Sequence, residues 1–158
     1  MFWVENYLLP NFSEVYATDL LTPTSECVVR NLSNNKFHYL EAGNNDYSLS
    51  GIRDNSVDFV WEFGCFCHLP LPAIQVYLNN IFRVLKYGGH ASIFFSNSDR
   101  WPGHASQINP GTNPDSSIFW CDNNWAKTES MLRQAGFTQV TDLMPGHCNT
   151  MAGCTKPF

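Results

Sequence analysis

Apolar positions between Asp58 and Asn97 fall into three successive patterns. Asp58–Phe63 is a short apolar run rich in aromatics and valine, as expected of a strand buried on both faces. Ile74, Tyr77, Leu78, Ile81 and Leu85 then recur at helical spacing and form one apolar stripe. Pro70 and Pro72 set the start of that helix, because proline is tolerated in the first turn, where its missing N–H is unpaired anyway. Lys86 is expected in the last turn, with Gly88 and Gly89 stopping the helix. Ala91–Phe95 reads as a second buried strand. Strand, crossover helix and strand make a right-handed βαβ unit of a parallel sheet.

The rest of the chain continues this alternation. Phe2, Trp3, Tyr7 and Leu8 share a helical face that Pro10 is expected to end. Glu14–Leu20 reads as a strand closing on Asp19, Thr24–Asn31 as a helix, and Phe37–Glu41 as another strand. Ala42–Asp54 is polar and loop-like. Residues 96–124 hold Pro102, Gly103, Pro110, Gly111 and Pro114 and show no periodicity; a loop of that length in a compact domain is usually functional or mobile. Trp125–Ala135 is predicted helical, with Met131 and Leu132 inward, and Gly136 ends it. Phe137–Leu143 alternates like a strand. The tail from Pro145 holds one weak edge strand. The expected fold is α/β: a doubly wound, mostly parallel sheet in one domain, 1–158, with the ligand crevice outside the C-terminal strand ends.

Composition changes this picture little. At 158 residues, with 44% hydrophobic and 15% charged residues, the chain suits one globular domain with a sizeable core. Aromatics at 15% point to a ring-rich core or pocket. The net charge of −5, without a basic run, argues against nucleic acid as a partner. No apolar run reaches membrane-spanning length and no secretory signal is legible, so the expected location is cytoplasmic, without a membrane partner. Cys65, Cys67 and His68 look like half a metal site. No second ligand pair completes it, so no metal is expected.

The stretch from Asp54 to Asn97 also carries a resemblance. Asp54-Asn55-Ser56, Asp58, His68 and the run Arg83, Leu85, Lys86, Gly88, Gly89 resemble the fourth strand, following helix and fifth strand of class I S-adenosylmethionine-dependent methyltransferases. Tyr87 stands where that family usually has proline. EVYATDL resembles the family's second strand, FHYLEAGNNDYSL its third strand and adenine loop, and WAKTESMLRQAGFTQVTDL its last helix and strand. MFWVENYLLP resembles the helix after the family's glycine-rich loop, so the Rossmann-like fold is expected to be incomplete at the N-terminus. Loss of that loop would weaken cofactor binding. It would also leave two interior strands without a common neighbour, so a homo-oligomer is expected. Glu62-Phe63-Gly64 imitates the missing loop only superficially, since Phe66 and Cys67 stand where glycines are needed.

The resemblance implies S-adenosylmethionine as cofactor and a small-molecule methyl acceptor. It places Asp19, with Leu20 beside it, on the ribose hydroxyls. Asn45 or Asp46 falls on the adenine amino group and Tyr47 on the ring face. Glu62 and Gly64 lie at the tip of the fourth strand. Glu62 reads either as a solvated strand-end acid or as a cofactor or substrate contact. His68 reads either as a capping residue or as the base that takes a proton from the acceptor. Ser96 and Asn97 end the next strand at the same crevice; Asp58, Arg83, Lys86 and His90 read as structural. Two rival readings remain: a non-catalytic remnant serving as a binding or assembly domain, and another nucleotide-binding α/β protein, against which the lack of G-x-G-x-x-G counts.

Overall fold

The computed structural model describes residues 4–19, 33–41, 47–101 and 122–158. It divides into two compact units, Met1–Gly51 and Ile52–Phe158. The expected helix Thr24–Asn31, Leu20, Asn45 and Asp46 lie outside the described residues, as do residues 102–121 of the long loop.

In the first unit a helical run covers Val4–Leu8 and Leu9–Asn11. Pro10 sits in the first turn of the second piece instead of ending the run, and the Phe12 amide donates to the Leu8 carbonyl at 2.9 Å. Of the expected helical face, Phe2 and Trp3 lie outside the described residues, Tyr7 is exposed and Leu8 is half-buried. Strand β1 (Val15–Asp19) pairs in parallel with β2 (Phe37–Glu41), residue for residue from Val15–Phe37 to Asp19–Glu41. β2 has its expected extent, and β1 lies within the expected Glu14–Leu20.

The second unit is a four-stranded sheet in the order β3-β4-β6-β5. Strand β3 (Val57–Glu62) leads through a one-turn 3-10 helix (Phe66–His68) to helix α1 (Leu71–Val84) and then to β4 (Leu85–Phe95). Helix α2 (Trp125–Gln134), β5 (Thr138–Asp142) and β6 (Thr150–Thr155) follow. β3 and β4 are parallel, while β6 is antiparallel to both β4 and β5. Three of the four strands therefore share one direction.

The apolar stripe behaves as its spacing demands: Ile74, Tyr77, Leu78, Ile81 and Val84 of α1 are buried. Phe66 packs between Tyr77 and Phe95, with ring centroids 5.3 and 5.7 Å away. Phe82 meets Phe137 edge-on at 5.2 Å.

Three local expectations are corrected. Helix α1 ends at Val84, so Lys86 is not in its last turn and Gly88 and Gly89 do not stop it. Leu85 turns extended while its amide still bonds the Ile81 carbonyl, and the following residues are drawn into β4. Between the Val57–Leu85 and Phe59–His90 pairs β4 carries extra residues, a bulge in which Gly88 adopts φ +77 and its amide bonds the Lys156 carbonyl. Finally, the tail strand β6 lies in the sheet interior, not at its edge. Its small residues make that placement feasible: a Cβ on Gly153 would lie 3.0–3.1 Å from the Leu143 side chain.

The matching motif residues are mainly fasteners. Asp54 pairs with Arg83, and Asp58 with Lys86 at 2.8 Å. Asn55, at φ +52, presents Oδ1 to the Lys156 ammonium at 2.6 Å. That buried ammonium also donates to the carbonyls of Phe82 (2.8 Å) and Leu85 (2.9 Å). Helix carbonyls in the last turn have no intrahelical partner, so Lys156 caps α1 from the far end of the chain.

Candidate active site

Parallel strands place their C-terminal ends together, and loops emerging there carry the chemistry of open α/β sheets. In the second unit that end holds Glu62 on β3 and Ser96 and Asn97 just past β4. Glu62 is half-buried. Its Oε1 accepts from the amides of Cys65 (2.7 Å) and Phe66 (3.0 Å), and its Oε2 from the amide of Phe94 (2.9 Å). The carboxyl thus tethers the 3-10 turn to β3 and bridges β3 to β4. Burial pushes its pKa up to about 7, against the pull of the three amides, which favour the anion.

Gly64 follows at φ +86, a conformation that favours glycine. A Cβ there would meet nothing within 4 Å, so the backbone borders open space. Phe66 and Cys67 anchor the turn in the core, and His68 closes it with an exposed side chain. The His68 amide donates to the Cys65 carbonyl at 2.9 Å. Glu62, Gly64 and His68 are therefore brought together on one short turn.

In the first unit Asp19 ends β1 directly opposite Glu41, which ends β2. The register puts two acidic residues at the same sheet end. Tyr47 is half-buried in the segment after β2.

A buried polar network lies just past the end of β4. Asn97 donates from Nδ2 to Thr150 Oγ1 at 2.8 Å and accepts at Oδ1 from the Asp99 amide. Ser98 donates twice, from backbone and hydroxyl, to the Asn123 carbonyl, and Asn123 Nδ2 donates to Thr128 Oγ1 at 2.8 Å. Arg100 pairs with Asp142 and also donates to the Met144 carbonyl, tying the segment after β4 to the β5–β6 turn. Ser96 and Asn97 were legible as strand-end polar residues. Asn123 and Arg100 were not, because their partners lie far along the chain. Among the described residues no three His, Cys, Asp or Glu side chains gather as a cation site requires, and no helix is long and apolar enough to cross a membrane.

The family model of a methyltransferase domain matches residues 3–93. The chain belongs to the methyltransferase domain family. Solved structures agree on the fold, the Rossmann-like α/β fold of class I methyltransferases. A Pyrococcus horikoshii protein, PH0226, is 17% identical with a TM-score of 0.71, over 98% of this chain and 75% of its own. The Burkholderia thailandensis 1,6-didemethyltoxoflavin-N1-methyltransferase, solved with its substrate and S-adenosylhomocysteine, is 18% identical with a TM-score of 0.68, over 98% and 66%. This chain spans only 45% and 54% of the length of matching structures from Nostoc punctiforme and Bordetella parapertussis. A search of curated proteins finds no match.

Proposed function

We propose that this chain binds S-adenosylmethionine and takes part in methyl transfer to a small-molecule acceptor. The observation that carries the reading is the β3 tip, where a carboxyl with pKa about 7 stands beside an exposed histidine and a glycine bordering open space. S-adenosylmethionine, when bound, supplies an electrophilic methyl group. The resemblance assigns the contacts to it: Asp19 at a strand end to the ribose hydroxyls, Tyr47 to the adenine ring, and Asn45 or Asp46 to its amino group. Gly64 lets a ligand approach the backbone closely. His68 takes the proton that the acceptor's O–H or N–H must release, and Glu62 near neutrality serves either as a second proton acceptor or as a hydrogen-bond donor to the acceptor. Methyl transfer then depends chiefly on alignment of the two reactants.

Calorimetry with S-adenosylhomocysteine tests the cofactor half. Asp19→Ala should weaken binding by about 1–3 kcal/mol, the range for a charge-assisted hydrogen bond. Unchanged affinity would remove Asp19 from the site, and no binding by the parent chain would sink the cofactor reading. A second reading, a non-catalytic binding or assembly domain, is favoured by the three amides on Glu62, which leave its oxygens less able to engage a substrate.

A further inference from the structure

The turn between β5 and β6 carries a thiol–imidazole pair that methyl transfer does not require. Thr150, the first residue of β6, pairs with Phe95, the last of β4, so the residues before it lie at the C-terminal end of β4. Arg100 holds the turn there, donating to the carbonyls of Met144 (3.3 Å) and His147 (3.5 Å). His147 is exposed, Cys148 half-buried and Asn149 buried. The Asn149 amide donates to His147 Nδ1 at 3.2 Å. An amide N–H can only donate, so Nδ1 holds a lone pair and the neutral ring carries its proton on Nε2. Cys148 Sγ lies 3.6 Å from the same Nδ1, and Asn149 Nδ2 donates to Sγ at 3.8 Å. The sulfur thus has both a proton acceptor and a donor that steadies negative charge. Cys67 and Cys154 are buried instead, and burial pushes the Cys154 thiol up to about 12.

The other end of the Asn149 carboxamide is unpaired: Oδ1 is buried without a partner, in a residue only 6% exposed. A buried oxygen left so costs about 1–3 kcal/mol, which a ligand N–H would recover. Nδ2 and Oδ1 are bonded to one carbon, so a donor that reaches Oδ1 stands beside the Cys148 sulfur. A peptide disulfide of the glutathione type brings that donor, because the cysteine bearing its sulfur also bears a peptide N–H. We propose that Cys148 is a site of reversible mixed-disulfide formation with a glutathione-type peptide disulfide. In the exchange the Cys148 proton passes to His147 Nδ1, which gives up the Asn149 amide to take it. Sγ attacks one sulfur of the disulfide, and the original S–S bond breaks as the new one forms. The second half leaves as a thiolate and takes the proton from His147. Cys148 is oxidised and the departing half is reduced. This exchange is independent of methyl transfer.

The full chain, reduced and then freed of reductant, is mixed with glutathione disulfide and quenched with acid at intervals. Mass spectrometry of the cysteine peptides reads the adduct on each thiol. Cys148 should be modified roughly tenfold faster than the exposed Cys65, and dithiothreitol should restore it. His147→Asn keeps an acceptor for the Asn149 amide but nothing that takes a proton. It should slow Cys148 roughly tenfold and leave Cys65 unchanged, with a thermal melt that matches the parent. Dithiodipropionate is a disulfide without an N–H, and its ratio of Cys148 to Cys65 rates should be roughly two- to tenfold smaller. Asn149→Ala should bring the glutathione ratio down to that level. Equal rates at Cys148 and Cys65 in the parent chain, or a Cys148 rate indifferent to His147→Asn, would overturn the site. Equal ratios for the two disulfides would overturn the peptide disulfide as its ligand.

Discussion

Replacement of Glu62 by glutamine isolates the energetic consequence of burying that carboxyl. In the folded chain its pKa is about 7 against a reference of 4.5. Between those values the native state holds the proton and the unfolded state does not, so stability falls as pH rises. The contribution is fully present below about 4.5 and is lost as pH passes through about 7. At about 1.4 kcal/mol per pKa unit, the loss between pH 5 and pH 8 is at most about 3 kcal/mol. Glutamine keeps an oxygen for the Cys65 and Phe66 amides but turns its NH2 toward the Phe94 amide, opposing two donors. One orphaned N–H costs about 1–3 kcal/mol at every pH. At pH 5 the variant should therefore be the less stable by that amount. By pH 8 the gap should close or reverse, because only the parent chain then holds a buried charge. Urea denaturation of both proteins across pH 5–8 provides the measurement, and the difference between the curves cancels every other titrating group. Parallel curves would refute the reasoning and show that the three amides hold Glu62 ionised throughout.

Two further outcomes follow from the packing. Lys156→Met keeps the apolar stem but removes the donor to Asn55, Phe82 and Leu85. At about 1.5–3 kcal/mol for a hydrogen bond to a charged group, and with the ammonium's burial cost recovered, the net loss should be about 3 kcal/mol; an unchanged urea midpoint would remove the helix-capping role. Gly136→Ala forces φ +103 on an alanine and sets its Cβ 2.8–2.9 Å from the Phe82 ring, so it should lower stability by about 1–3 kcal/mol in the same assay.

What the sequence determined by itself was the set of elements whose signal is local. The Ile74–Ile81 stripe, the strand runs at β1, β2 and β3, and the inward pair Met131–Leu132 follow from periodicity, because side chains at period two or near period four share a face wherever they are packed. The acidic strand ends Asp19 and Glu62 were legible for the same reason: a carboxylate closing an apolar run is locally conspicuous. The tertiary structure decided what depends on partners distant in the chain. Helix α1 ends at Val84 rather than at the glycines because β3 and Lys156 take up the following residues, and Lys156 lies far down the chain from them. β6, with a weak local pattern, becomes an interior strand because β4 and β5 pair with it on both sides. Glu62 looks like a free acid in the sequence, yet the fold sets three amides on it and withdraws it from water, and burial against those amides is a property of the packed turn, to which no single residue's identity points.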